Sequence, residues 1–200
     1  MTIVHPRRIS VVGTTGAGKT TLARQIARWL EIPHVELDAL YWGPDWTPAP
    51  VQVFRVRVAD AVKEDAWVVD GNYSRVRNMV WERAQMAIWL DYTLPVILWQ
   101  LIRRTLRRSI GQDQLWNENR ESLYRALFSR ESIVLWALKT YRRRRKEYSA
   151  LFEETAYAHL NVVHLPSPRS ARAWMAALQT TGMSQSSCLV DRELGGNHSV

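Results

Sequence analysis

The sequence is poor in three features that mark particular classes of protein. It contains one cysteine, Cys188, so no disulfide can form within the chain, and a reducing compartment is expected. Its apolar runs, such as VILW at 96–99, are far shorter than the roughly 20 residues of a membrane helix. Residues 1–8 lack the apolar core of a secretory signal. These absences lead us to expect a cytoplasmic protein without a membrane partner.

Lysine is also scarce, although the chain is strongly basic. Only four of its 27 basic residues are lysines, which leaves 23 arginines, and the net charge is +8. A positive charge favours anionic partners, either nucleotides or nucleic acid, without choosing between them. The planar guanidinium suits phosphate oxygens, but an arginine excess can equally reflect genomic base composition. The five histidines show no metal-ligand spacing, so we expect no metal other than Mg²⁺.

The chain alternates short apolar segments typical of buried strands with amphipathic segments typical of helices. Five segments predict strands: RRISVVG, HVELD, AWVVD, QMAIWLD and LNVVHL. This alternation predicts a mostly parallel sheet with helices on both faces. Ligands of such a sheet bind at the carboxyl ends of the strands, where Gly13, Asp38, Asp70 and Asp91 are expected to meet.

The first predicted strand runs into a phosphate-binding sequence. Residues 13–20, GTTGAGKT, satisfy the pattern G-x-x-x-x-G-K-[ST] between a strand and an amphipathic helix. Glycines let backbone N–H groups turn toward phosphate oxygens, Lys19 reaches the β- and γ-phosphates, and Thr20 ligates Mg²⁺. The expected nucleotide-binding residues are Gly13, Thr14, Thr15, Gly16, Ala17, Gly18, Lys19, Thr20 and Thr21.

Two missing signatures narrow the kind of nucleotide-binding protein. The sequence has no N-K-x-D-like guanine reader with a D-x-x-G switch, which a GTPase normally carries. It also has no LSGGQ-type signature of a transporter ATPase. Both absences favour a small kinase, with ATP and Mg²⁺ as its cofactors and a small molecule as its acceptor.

Four segments in order resemble a known family. GTTGAGKTTLA, ELDALYWGPDW, WVVDGNYSRVR and AQMAIWLDYTLP, followed by an arginine-rich helix, resemble the adenylate-kinase-related P-loop proteins called topology-modulation proteins. The resemblance extends from about Ile9 to about Ala177. It implies an α/β fold of the P-loop NTPase type, a three-layer sandwich with the five-stranded parallel sheet of nucleoside-monophosphate kinases. It also implies Mg-ATP and a small helical lid that bears arginines.

Asp70 and Asp38 are the acidic candidates. Asp70 occupies the place of the aspartate in the adenylate kinase motif DGFPR, and such a carboxylate can orient Mg²⁺ opposite Thr20. The chain reads DGNYSR there, so Arg75 or Arg77 would have to replace the acceptor-binding arginine. The alternative for Asp70 is a turn-forming Asp-Gly.

Asp38 resembles the acidic residue that other small-molecule P-loop kinases use to orient an acceptor hydroxyl. A carboxylate at that place can accept the hydroxyl proton while Lys19 steadies the phosphoryl group. The alternative is a helix N-cap. Tyr41, Trp42 and Trp46 nearby are equally explained as a wall of the acceptor site or as packing.

Two arginine clusters have different expected roles. Arg103 with Arg107 and Arg104 with Arg108 are i,i+4 pairs, which repel unless an anion neutralises them. We expect phosphate contact there, with Arg104 and Arg108 as catalytic residues, although the helix C-terminus also favours positive charge. The run 142–145 fans around a helix, so we expect mainly a solvated face, with a nucleic-acid patch as the alternative.

The predicted organisation is one P-loop kinase-like domain over residues 1–180, with a lid at about 109–130. Residues 181–200 lose apolar periodicity and are expected to form a disordered tail. The predicted function is transfer of the γ-phosphoryl of ATP to a nucleotide or another small molecule. The alternatives are an ATP-switched nucleic-acid-binding regulator of DNA topology and a plain NTPase.

Overall fold

Five parallel strands form the centre of the molecule. A computed structural model describes residues 6–111 and 133–180 of the chain, with side chains described through residue 104 and again from residue 138. The strands of the described part are β1 (Arg8–Gly13), β2 (His34–Glu36), β3 (Trp67–Asp70), β4 (Met86–Leu90) and β5 (Asn161–Leu165). They are ordered β2-β3-β1-β4-β5, and each neighbouring pair is parallel. The predicted five-stranded parallel sheet is confirmed.

Helices connect the strands and cover both faces of the sheet. They are α1 (Lys19–Leu30), α2 (Leu37–Tyr41), α3 (Val51–Ala61), α4 (Ser74–Trp81), α5 (Leu94–Gly111), α6 (Ile133–Glu153) and α7 (168–180). Short 3-10 turns lie at Pro44–Trp46 and Thr155–Tyr157. No helix of the described ranges is both long and apolar enough to cross a membrane.

Alternate residues of the central strands face two separate cores. Val11 and Ile88 pack with α1, α5 and α7 on one side of the sheet. Val12 and Trp89 pack with α2, α3 and α4 on the other. A strand buried on both faces cannot alternate between apolar and polar residues, which explains the continuous apolar runs of β1, β3 and β4.

The second strand is shorter than the sequence predicts. β2 ends at Glu36, which is also the N-cap of α2, so Asp38 lies in the first turn of a helix. Both expectations for its local structure, a strand end and a helix N-cap, are therefore wrong. β2 is a half-buried strand at the edge of the sheet. The helical conformation that follows it places Leu37 in a core, so the chain enters α2 instead of continuing the strand. β4 likewise ends at Leu90, and Asp91 follows it directly.

The predicted division of the chain stays a prediction. Most of the proposed lid at 109–130 and the whole proposed tail at 181–200 lie outside the described residues. The side chains of Arg107 and Arg108 and all of Cys188 also lie outside them.

Candidate active site

The phosphate loop joins β1 to α1 at the carboxyl edge of the sheet. Gly16 and Gly18 both have φ of +87°, a conformation that favours glycine. A Cβ added to Gly16 would lie 2.4 Å from Cγ of Leu101, whereas one added to Gly18 would meet no atom within 4 Å. Gly16 is therefore packed against α5, and Gly18 borders open space. This backbone fits an anion cradle, because its N–H groups sit at the N-terminus of α1.

Lys19 begins α1 and is half-buried beside the loop. Its ammonium donates to the carbonyl of Thr14 at 3.4 Å. Burial lowers the pKa of Lys19 to about 8, and the negative charges of Asp70 and Asp38 act in the opposite direction. A half-buried lysine under the influence of two carboxylates is a cation suited to an anionic ligand.

Asp70 closes β3 directly beside the start of α1. Its Oδ2 accepts a hydrogen bond from Thr20 Oγ1 at 2.6 Å, and its Oδ1 lies 3.0 Å from Nε2 of His34. A hydroxyl and a carboxylate oxygen so close together suit Mg²⁺, which takes few protein ligands and completes its shell with water and phosphate oxygens. Among the described residues no group of three or more His, Cys, Asp or Glu side chains could hold a metal alone.

The side chain of Asp38 is held by a tyrosine from another element. Tyr73, the N-cap of α4, donates its hydroxyl to Asp38 Oδ1 at 2.5 Å. Burial, followed by the charge of Asp38, raises the pKa of Tyr73, so the phenol stays a donor. The ring of Tyr73 packs against Tyr41 and Phe54, with centroids 4.8 and 5.0 Å away. Asp38 is thus a fixed carboxylate close enough to Lys19 to influence its pKa.

The arginines of α5 differ in what they face. Arg104 is half-buried, and its charge helps to lower the pKa of Lys19. Arg103 is exposed, with its guanidinium carbon 5.1 Å from the ring centroid of Trp99. Of the two α5 arginines whose side chains are described, Arg104 is the one that lies toward Lys19.

Neither arginine after the Asp-Gly pair is placed like an acceptor ligand. Arg77 forms an ion pair with Glu147 of α6. Its guanidinium carbon also lies 5.7 Å from the ring centroid of Trp81 and 5.6 Å from that of Tyr148. Arg75 is exposed. Arg77 therefore joins α4 to α6, because its charge and both faces are engaged within the protein.

Asn72 is a site residue that sequence reasoning missed. Its amide donates to the carbonyl of Gly13, and its Oδ1 accepts from the Gly13 N–H at 3.3 Å and from the Tyr148 hydroxyl at 2.9 Å. Asn72 thereby links the start of the phosphate loop to α4 and α6. The motif DGNYSR contains this signal, but only a structure shows that an amide after Asp-Gly reaches a neighbouring strand.

The four consecutive arginines of α6, residues 142–145, differ in their exposure and in their contacts. Arg142 and Arg143 are exposed, as expected for a solvated face. Arg144 is half-buried, and its charge helps to lower the pKa of Lys19. Arg145 is exposed and forms an ion pair with Asp91, with its Nε 3.1 Å from Oδ2. Three of the four arginines are therefore exposed, as expected for a mainly solvated face, and Arg144 is the exception, because a helix crossing the sheet edge turns part of its circumference inward.

Comparisons with known proteins bear on the family and the fold. The sequence matches the model of a family described as AAA domain over residues 9–192. A gluconokinase from Sinorhizobium meliloti 1021 has a similar structure, with a TM-score of 0.50 and 19% identity over 90% of this chain and 98% of that one. A shikimate kinase from Bacteroides thetaiotaomicron gives 0.49 and 17% over 88% and 98%. No curated protein matches the sequence. At such identities the first likeness shows a shared P-loop fold.

Proposed function

The chain belongs to the AAA domain family, and from this premise we propose that it is an ATP-dependent kinase for a hydroxyl-bearing small molecule. One observation carries the choice of acceptor. A half-buried carboxylate, Asp38, is fixed by Tyr73 close to the phosphate-loop lysine. The finer assignment to the topology-modulation proteins belongs to the same proposal and rests on the resemblance of the sequence motifs.

On the phosphate side, backbone and cations bind the nucleotide. The N–H groups of residues 13–21 and the ammonium of Lys19 face the phosphates, with Arg104 as a further cation. Thr20 and Asp70 would hold Mg²⁺, which neutralises phosphate charge when it is bound. His34 keeps the Asp70 carboxylate in place through the 3.0 Å contact to Oδ1. Arg108 stays a predicted catalytic residue.

On the acceptor side, the chemistry requires a base. The acceptor oxygen attacks the γ-phosphorus, the bond from that phosphorus to the β,γ-bridging oxygen breaks, and ADP leaves. The hydroxyl proton passes to a carboxylate oxygen of Asp38 and then to water. Tyr73 occupies Oδ1 of Asp38, which leaves Oδ2 for the acceptor hydroxyl.

A nucleoside monophosphate fits this site less well. Its phosphate is already an anion at neutral pH, so positioning arginines would matter and a base would have little to do. Arg77, in the motif that supplies the acceptor arginine in adenylate kinases, is engaged by Glu147. The nucleic-acid alternative also loses support, because Arg144 is half-buried and Arg145, although exposed, is already paired with Asp91.

An acceptor screen tests the proposal. ADP release is measured with Mg-ATP across small polyols, sugars, hydroxy acids, nucleosides and nucleoside monophosphates, with Lys19→Ala as the blank. We expect one hydroxyl-bearing class to raise ADP release well above the rate with water alone. Stimulation by nucleoside monophosphates alone would overturn the choice of acceptor. No stimulation by any compound would favour a plain NTPase.

A further inference from the structure

Helix α6 crosses the carboxyl edge of the sheet from one core to the other. Tyr141, near its middle, packs against the core formed with α1, α5 and α7. Tyr148, two turns later, is buried in the opposite core. Residues 142–145 lie between these two tyrosines and are therefore placed at the edge where the phosphate loop begins.

A buried aspartate anchors this helix to the sheet. Asp91 follows β4, its side chain is 5% exposed, and its backbone N–H donates to Leu165 of β5 at 3.0 Å. Its Oδ2 lies 3.1 Å from Nε of Arg145 and 3.0 Å from Nε2 of His164. Because β4 and β5 hold Asp91 in place, Arg145 ties α6 to a rigid point.

A second contact fixes the rotation of the same helix. Tyr148 donates its hydroxyl to Asn72, which itself binds Gly13. Successive residues of a helix are about 100° apart, so a helix fixed at two positions has a defined direction at every other one. Arg144 precedes Tyr148 by four residues and shares its side of the helix.

Arg144 is half-buried near another cation, Lys19. Its Nε is buried and has no hydrogen-bond partner among the described residues. Its charge also lowers the pKa of Lys19, as expected for two cations close together. Two half-buried cations close together repel unless anions neutralise them, and the buried Nε of Arg144 still lacks a partner among the described residues, so this corner of the site suits a negative group.

We propose that Arg144 binds the terminal phosphoryl group of the bound triphosphate, and that Asp91, acting through Arg145, is the positioning residue that aims it. This inference rests on the proposed function, because it assumes that the phosphate loop binds a nucleoside triphosphate. It assigns roles to two features that the kinase chemistry alone leaves unexplained, the arginine run of α6 and the aspartate after β4.

Calorimetric binding of ADP and of a non-hydrolysable ATP analogue, both with Mg²⁺, tests the inference without any acceptor. A hydrogen bond to a charged group contributes roughly 1.5–3 kcal/mol, so Arg144→Ala should weaken analogue binding by about 10-fold or more and leave ADP binding nearly unchanged. Asp91→Asn should produce most of the same selective loss. The double variant should be no weaker than Arg144→Ala, because Asp91 acts only through that residue's position.

Matched controls separate this role from a general loss of structure. Arg143→Ala, in the same run, and Asp60→Asn, on the surface of α3, should bind both nucleotides like the wild type. If Asp91→Asn does not fold, Arg145→Lys replaces it, because lysine keeps the charge but loses the guanidinium Nε that lies against Asp91.

Three results would overturn the inference in distinguishable ways. If Arg144→Ala weakens the binding of ADP and of the analogue equally, Arg144 does not contact the terminal phosphoryl group. Fully additive losses in the double variant would show that Asp91 does not position Arg144. Failure of the folded wild type to bind either nucleotide would reject the proposed function, and the inference with it.

Discussion

The phosphate side and the acceptor side of the site are constructed differently. The proposed phosphate side is one contiguous segment, residues 13–21, which offers left-handed glycines and a helix N-terminus to a nucleotide. The proposed acceptor side is assembled from Asp38 of α2 and Tyr73 at the start of α4, which meet through side chains alone. A local backbone motif is enough to predict phosphate binding, whereas the identity of the acceptor depends on how separate helices pack. Variants on the two sides should therefore fail in different ways.

The largest effect is expected on the phosphate side, from Lys19→Ala. This change removes a cation aimed at the transferring phosphoryl group, so kcat should fall by roughly 10³-fold for transfer and for background hydrolysis alike. Steady-state ADP release measures both rates. Circular dichroism checks the fold. Normal turnover by a folded variant would show that Lys19 has no catalytic role.

Asp70→Asn should have the next largest effect and should change the Mg²⁺ requirement. The amide keeps the size of the carboxylate but loses its charge, so kcat should fall by roughly 10²-fold and half-saturation should need more Mg²⁺. The backbone N–H groups still bind the nucleotide. Equal losses of Mg²⁺ dependence and nucleotide affinity would identify Asp70 as a structural residue.

The Tyr73→Phe variant tests the acceptor side of the site. Phenylalanine keeps the ring packing against Tyr41 and Phe54 but cannot hold Asp38, so transfer should slow by about 10-fold with a hydroxyl acceptor. Hydrolysis of ATP without acceptor should change by less than about twofold, because that reaction does not use the oriented carboxylate. Tyr41→Phe is the matched control, and a similar loss in both variants would indicate packing rather than orientation.

The smallest effect expected is a pH dependence that belongs to the phosphate side. Burial lowers the pKa of Lys19 to about 8, so kcat/KM for Mg-ATP should fall as the pH rises, with a midpoint near 8. Bound phosphates favour the charged lysine, which moves the corresponding limb of kcat to higher pH. A pH-independent kcat/KM between 7 and about 9 would contradict this assignment.

The lowered pKa of Lys19 also makes the free energy of unfolding depend on pH. Because the pKa of Lys19 in the folded chain lies below its ordinary value of 10.5, the unfolded chain binds the Lys19 proton more tightly. The free energy of unfolding should therefore gain a contribution as the pH rises from about 8 to 10.5. Lys19→Met should remove this contribution in urea titrations.

The sequence predicts the phosphate side because its signals are local. Residues 13–20 carry the loop, and the convergence of parallel strand ends places Asp70 opposite Thr20, 2.6 Å apart in the structure. α4 is not predicted, because its eight residues make only about two turns, too few for the helical spacing of its four apolar residues to stand out. Tyr73 at its N-cap is missed for the same reason.

Long-range packing explains the remaining differences. Asp38 lies near Lys19 although its strand assignment is wrong, because α2 follows β2 without a break. In the run 142–145, four identical residues give no pattern that shows which side faces inward. That information lies in the contacts of α6 with Asp91 and Asn72, which are distant in sequence.

The most direct test of the central claim is the effect of Asp38→Asn on the partition of phosphoryl groups between acceptor and water. Asparagine keeps the size of the side chain but cannot take a proton, so transfer to a hydroxyl acceptor should fall by roughly 10²-fold while hydrolysis changes little. Asp60→Asn on α3 serves as the control. A folded Asp38→Asn protein that transfers phosphoryl to a hydroxyl at the wild-type rate would contradict the account.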